Sequence, residues 1–491
     1  MHVHILGICG TFMGSLALLA RELGHQVTGS DANVYPPMST QLEQAGVHIQ
    51  EGYSASHLDP APDLVIVGNA MKRGIEAVEY MLDAGLPYTS GPQFLAEQVL
   101  QHRHVLAVAG THGKTTTTTM LAWILQYSGI DTGFLIGGVP QVSAIDDERL
   151  KQVFTHSSHL GGTDSEHGRG YFVIEADEYD SAFFDKRSKF VHYRPSTAIL
   201  NNLEFDHADI FADLNAIQTQ FHHMIRMIPS HGKIIMPANT PSLEETIKKG
   251  CWTPIWRTHL DCLHKNDTDS KNDWHAELLQ EDGSQFRIWY HPTDTDQASQ
   301  SGDVHWDMSG LHNVNNALVA VAAAFDIGIE VAQSCQALSA FTGIKRRMEK
   351  IADITTTTGS IQVYDDFAHH PTAITTTLDG TKKKLKGKKI WAIIEPRSNT
   401  MKLGIHKDNL AQSAVLADHV LWYEPKDLSW GLNDIIAQAD TTNHQQVFDN
   451  TDAIIHYLQD NIGDNDAVII MSNGSFSGIH QRIIKMLTEQ A

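Results

Sequence analysis

The chain has 491 residues, 42% of them hydrophobic and 19% charged, and its 36 Lys and Arg against 58 Asp and Glu leave a formal net charge of −22. That length suggests about three domains, and the balance is that of an ordinary soluble globular protein. No apolar run approaches the ~18 residues of a membrane span, and the strong acidity argues against a nucleic-acid surface.

Met1-His2-Val3-His4 lacks a basic start, so no signal peptide is expected. The cysteines (Cys9, Cys251, Cys262, Cys335) are scattered, without metal spacing, and fit a reducing cytoplasm. Residues 2–6 read as a strand. Gly7-Ile-Cys-Gly10-Thr11-Phe12-Met13-Gly14 follows, then a helical run to Leu23 and a second strand from Gln26 that ends at Ser30-Asp31. This is a βαβ unit with an acid about 20 residues past a glycine loop, the layout of a nucleotide-binding half-fold. A dinucleotide site would want Gly where Cys9 and Phe12 stand. A nucleotide diphosphate at the helix start, with Asp31 on a ribose or base, suits the loop better. A strand at 63–68 continues the alternation, and the unit closes near residue 101.

The second unit begins with the apolar run Val105–Val108, the loop Gly110-Thr111-His112-Gly113-Lys114-Thr115-Thr116, and a helical run to Gln126. A strand, a tight glycine loop and a helix start hold phosphate, because loop N–H groups and the helix dipole both face the anion. Lys114 supplies a point charge for the β- and γ-phosphates, and the Thr115 hydroxyl suits Mg²⁺. The standard pattern has a further Gly where Val108 stands, so the loop is a shortened variant.

Residues 141–169 are polar and aperiodic and read as a long mobile loop. Strands at 171–174 and 197–200 end in Glu175-Ala-Asp-Glu178 and Asn201-Asn-Leu-Glu-Phe-Asp206-His207. Carboxylates at carboxyl ends of strands face the ligand crevice of α/β sheets, making Glu175 and His207 candidate Mg²⁺ ligands beside Thr115. A strand at 232–236, a hairpin around Asp282-Gly283 and a polar loop at 291–303 follow. Gly310-Leu-His-Asn-Val-Asn-Asn316 opens a helix whose amides either cap it or read an adenine edge. Arg346-Arg347 suits phosphate or carboxylate binding at a domain junction.

The third unit opens with Val363-Tyr364-Asp365-Asp366-Phe-Ala-His369-His370. Six lysines between 382 and 389 read as a solvated loop before a strand at 390–394; strands at 418–423 and 466–471 complete another α/β unit. Two strand ends are densely polar: Glu395-Pro-Arg397-Ser398-Asn399-Thr-Met-Lys402 and Ser472-Asn-Gly474. One phosphate loop between two further ligand-binding units implies joining chemistry more than simple hydrolysis.

Taken together in this order, the motifs at 110–116, 175–178, 206–207, 310–316, 346–347 and 365–371 resemble the ATP-dependent Mur ligases of peptidoglycan synthesis. Segments 7–14, 30–40, 201–211, 395–402 and 471–474 look most like the branch that acts in peptidoglycan recycling. The resemblance implies three α/β domains. These are a Rossmann-like UDP-sugar-binding domain (1–101), a P-loop ATPase domain (102–347) and a Rossmann-like peptide-binding domain (348–491).

It also implies that a murein tripeptide, L-alanyl-γ-D-glutamyl-meso-diaminopimelate, is joined to UDP-N-acetylmuramate. The muramyl carboxylate would attack the γ-phosphate of ATP, and the tripeptide amine would then attack the acyl phosphate. By analogy Thr115 and Glu175 hold one Mg²⁺, Glu175 and His207 a second, and Asn316 reads adenine. Either Arg346 or Arg347 touches the nucleotide, Asp366 and His369 contact nucleotide or the transferring group, and Arg397, Ser398, Asn399 and Lys402 bind tripeptide carboxylates. Gly7, Gly10, Thr11, Phe12, Met13, Gly14 and Asp31 would form the UDP-sugar site. A cytoplasmic monomer or weak dimer is expected, with no nucleic-acid or membrane partner. The rivals are the L-alanine-adding ligase, a folylpolyglutamate synthetase, a P-loop ATPase or kinase, and an NAD-dependent dehydrogenase.

Overall fold

The computed structural model describes the whole chain except residues 35–37, 139, 164–168, 262–273, 293–297, 427, 429 and 491. Cys262 and the Tyr-Pro-Pro of segment 30–40 therefore lie outside the described residues. Short apolar runs punctuated by glycine become parallel strands in three sheets, as buried parallel strands should. The first sheet runs His48–Glu51, Gln26–Asp31, His2–Leu6, Leu64–Val67, Tyr88–Ser90 across its width, all parallel.

Among the described residues the central sheet has ten strands, with Ser158–His159 at one edge, antiparallel to Gly133–Leu135. Its parallel middle is formed by Ile255–Asp261, Lys233–Pro237, Thr197–Leu200, His104–Ala109, Tyr171–Glu175 and Gly133–Leu135. Trp274–Leu278 pairs parallel to this middle and starts an antiparallel extension through Gln285–Tyr290 and Gln300–His305. The third sheet pairs Ser360–Asp366 with Ala467–Met471, then Ile390–Ile394, His419–Tyr423 and His444–Phe448, all parallel. Glu349–Thr355 adds an antiparallel edge to it.

Packing joins the first two units. Val3, Ile5 and Leu16 share one continuous core with Val105, Phe172, Phe190 and Phe221. The other face of the central sheet buries the helices Lys114–Tyr127 and Leu311–Asp326. At about 25 cal/mol per Å² of apolar surface, such two-sided burial outweighs the poor helix propensity of five consecutive threonines, Thr115–Thr119, all buried here.

Four expectations change. Within 291–303, residues 300–303 begin the strand Gln300–His305, and 293–297 lie outside the described residues. Pairing and close approach place that strand, not hydrophobicity. Arg287 bridges Asp303 across it (Nη2–Oδ2 2.8 Å), and a Cβ on Gly302 would meet Cys335 at 2.9 Å. Within 141–169 the helix Glu148–Val153 forms, because the Asp147 side chain accepts the Leu150 N–H at 3.0 Å and Leu150 and Phe154 are buried. Lys382–Lys384 end the helix Pro371–Lys384 rather than lying in a loop, favoured there by the helix dipole. The third sheet starts earlier than Val363, at its edge strand Glu349–Thr355. Among the described residues no helix is long and apolar enough to cross a membrane.

Candidate active site

The strand His104–Ala109 ends in the phosphate loop, and the loop is pressed from both sides. Gly110 has φ +149°, and a Cβ there would meet Asn201 Cβ at 3.0 Å; Gly113 has φ +78°, and a Cβ there would meet Asn316 Oδ1 at 2.7 Å. Only glycine combines this conformation with this closeness. The loop is further pinned by Asn202, whose Oδ1 accepts the His112 N–H (2.8 Å) while its amide donates to the His112 carbonyl (3.0 Å). Thr111 Oγ1 accepts the Glu204 N–H at 2.9 Å. Thr116 is buried in the first turn of the helix.

Lys114 is buried and donates to the Gly110 carbonyl (2.8 Å) and to Glu178 (3.1 Å). Burial alone would lower its pKa, but Glu178, Asp177 and Glu175 together outweigh it and keep the ammonium charged. Glu175 accepts from the Thr115 hydroxyl at 2.9 Å and from the Gly137 N–H at 2.6 Å. Burial first, then the Asp177 charge, raises its pKa, and Lys114 only partly opposes them.

His207 reaches Glu178 (2.9 Å), not Glu175. Burial would lower its pKa, yet Glu178 and then Asp206 raise it. Burial would raise Glu178, but Lys114 and His207 outweigh it and hold its carboxylate down to about 2. Glu178 is thus the hub of the cluster. Sequence reasoning favours Glu175 and misses it, although a third acid in Glu-Ala-Asp-Glu beside one buried lysine is an available signal.

The adjacent arginines part company. Arg347 points back to the phosphate loop, with Nη2 3.5 Å from Thr115 Oγ1 and its guanidinium 4.9 Å from the Phe367 ring centre. Arg346 instead donates to the carbonyls of Ser472 (2.6 Å) and Gly474 (2.8 Å) and faces Asp365 at 3.3 Å. Asp366 accepts the N–H groups of Met348 and Ala368, both at 2.8 Å, and burial raises its pKa against the pull of Arg347. His369 hydrogen-bonds the Phe367 carbonyl at 3.0 Å, and burial pushes it down to about 4, leaving a neutral imidazole. Asn316 accepts from Asn201 at 3.2 Å beside Gly113.

The polar strand end after Ile394 faces the central unit. Thr400 donates to Asp206 at 2.6 Å and Asn399 to Asp209 at 2.9 Å. Ser398 caps its short helix by accepting the Met401 N–H, at 3.3 Å. Lys402 ends that helix. Arg397 is exposed and lies over Gly474, where a Cβ would overlap its guanidinium.

In the first unit Gly7 has φ +82° and the helix starts at Thr11. Asp31 is committed to the loop: it accepts the N–H groups of Cys9 (2.8 Å) and Asn33 (2.9 Å). A Cβ on Gly14 would collide with Met38, and Met13 packs beside Gly91; Gly10 precedes the helix as its N-cap. The Phe12 ring carries Lys189 Nζ 4.6 Å from its centre, and Lys189 also faces Asp177 at 3.3 Å, so the loop meets the central cluster through one lysine.

Three family models match in chain order. The "Mur ligase family, catalytic domain" covers residues 2–103, the "Mur ligase middle domain" 108–324, and the "Mur ligase, glutamate ligase domain" 346–474. The chain is 48% identical over 487 residues to UDP-N-acetylmuramate–L-alanyl-γ-D-glutamyl-meso-2,6-diaminoheptandioate ligase of Haemophilus influenzae, covering 99% of each chain. It is 47% identical over 492 residues to the ligase of the same name from Escherichia coli K12, covering 100% of this chain and 99% of that one. The crystal structure of a murein peptide ligase from Psychrobacter arcticus is 66% identical, with a TM-score of 0.76 over 99% of each chain. A buried lysine–acid cluster under a phosphate loop, set among three units that each match in order and share their sequence end to end with such enzymes, places this chain in the Mur ligase family.

Proposed function

We propose that the chain joins L-alanyl-γ-D-glutamyl-meso-diaminopimelate to UDP-N-acetylmuramate, with ATP converted to ADP and phosphate, in the recycling of peptidoglycan. The observation that carries this reading is the end-to-end likeness to two ligases named for that reaction. In it, residues 1–101 hold the UDP-sugar, 102–347 the ATP and 348–491 the tripeptide.

Buried Glu175, with a raised pKa and the Thr115 hydroxyl against it, is a carboxylate in need of a hard cation, which supports a Mg²⁺ site held by Thr115 and Glu175. His207, now on Glu178, is the further donor for a second ion. Bound Mg²⁺ would neutralise charge on the transferring phosphate. Lys114 and Arg347 add fixed positive charge where two anions must meet, which is the chief demand of phosphoryl transfer. The muramyl carboxylate attacks the γ-phosphate and ADP leaves. The tripeptide amine then attacks the acyl carbon, and the tetrahedral intermediate expels phosphate. Arg397, with Ser398, Asn399 and Lys402, orients the tripeptide carboxylates. Contacts such as Thr400–Asp206 hold the third unit over the phosphate loop and help keep water from the acyl phosphate.

Phosphate release is the discriminating measurement. It is expected to require ATP, Mg²⁺, UDP-N-acetylmuramate and tripeptide together for sustained turnover. Equal release without the tripeptide would favour a P-loop ATPase instead.

A further inference from the structure

Outside the Lys114–Glu178 cluster, a second set of ligating atoms converges across the boundary between the phosphate loop and the third unit. Among the described residues, His112, Glu204 and His370 form a group of three His, Cys, Asp or Glu side chains whose ligand atoms all lie within 4.8 Å of one another. His112 Nε2 is 3.2 Å from Glu204 Oε2, and His370 Nδ1 is 3.6 Å from the same oxygen. Ligands about 2.0–2.1 Å from a tetrahedral Zn²⁺ stand roughly 3.3 Å apart, so these separations bracket the edge of such a site.

The supports are as specific as the ligands. The Asn202 and Thr111 hydrogen bonds tie the backbones that carry His112 and Glu204 together, and the two side chains already meet at 3.2 Å. Thr372 Oγ1 donates to Glu204 Oε2 at 2.9 Å, orienting the carboxylate. His370 Nδ1 accepts the Thr372 N–H at 3.3 Å, so the ring proton sits on Nε2 and is shared with His406 Nε2 at 3.1 Å. Zinc-ligating imidazoles are held in this way, with the far nitrogen donating to a neighbour. The long Thr372 contact is the bond a metal would replace, and the His112 ring proton would move from Nε2 to Nδ1. His112 and Glu204 are half-buried, which leaves room for water as a fourth ligand.

We infer that His112, Glu204 and His370 form a transition-metal site, taking Zn²⁺ with His406 as the orienting partner, that staples the phosphate loop to the C-terminal unit.

The test is titration calorimetry of the full chain with Zn²⁺ in saturating Mg²⁺, repeated with Co²⁺ to read the intense visible bands of tetrahedral cobalt. One Zn²⁺ per chain is expected, with tetrahedral cobalt absorption. Both should vanish in His370→Ala, and affinity should fall about 10–100-fold in His406→Leu, as loss of an orienting partner does. Glu175→Gln should leave the binding unchanged, which separates the site from the catalytic metal. Thermal melts establish that each variant is folded, and His406→Leu keeps the test open if His370→Ala is not. No zinc binding in excess Mg²⁺, or binding undisturbed by both histidine substitutions, would overturn the assignment.

Discussion

Lys114→Ala is expected to lower ligation at least ~100-fold, because a preorganised charge on the transferring phosphate is worth that much or more. The structure adds a second effect. Lys114 and Glu178 are a buried pair at 3.1 Å, and removing one partner of such a pair costs about 3–5 kcal/mol. A fall in activity could then reflect unfolding. Lys114→Met with Glu178→Gln removes both charges while keeping the stems, and is expected to melt closer to the parent yet remain as inactive. Steady-state rates and thermal melts on the same samples separate the two effects. Activity above ~10% of the parent in a folded variant would remove Lys114 from the chemistry.

Arg397→Ala is expected to raise the tripeptide KM by ~10-fold or more, since a hydrogen bond to a charged group contributes about 1.5–3 kcal/mol, and to leave the KM values of ATP and UDP-N-acetylmuramate nearly unchanged. The geometry supplies a companion variant. Gly474 leaves the space that the Arg397 guanidinium occupies, and Arg346 holds the 472–474 backbone in place through two carbonyls. Gly474→Ala should therefore displace Arg397 without touching its charge and reproduce most of the loss. An unchanged tripeptide KM in both variants would take Arg397 out of the acceptor site.

What could be read from the residues was what local rules determine. The strands at 2–6, 197–200 and 390–394 stand where their apolar runs end in glycine or polar residues, and the phosphate loop sits at a strand-to-helix switch. The hairpin at Asp282-Gly283 forms as its turn residues require. What escaped depends on partners far along the chain. Gln300–His305 has no hydrophobic alternation and becomes a strand only through its neighbour and through the gap at Gly302. Glu178 is chosen over its neighbours because Lys114 and His207 come from other loops. Arg346 and Arg347 look equivalent in sequence, but Arg346 at φ +60° and Met348 at φ +50° turn the backbone so that the two side chains serve different units. The link between Asp206 and Thr400 spans 194 positions and belongs to the docking of two units, which no local pattern carries.

The most direct measurement is the mass of the product formed from ATP, Mg²⁺ and UDP-N-acetylmuramate, with L-alanine offered in one reaction and L-alanyl-γ-D-glutamyl-meso-diaminopimelate in the other. A UDP-N-acetylmuramyl tripeptide formed only in the second is the expected result. Conjugation of L-alanine alone would contradict the account and void the reading of residues 395–402 as the site for tripeptide carboxylates.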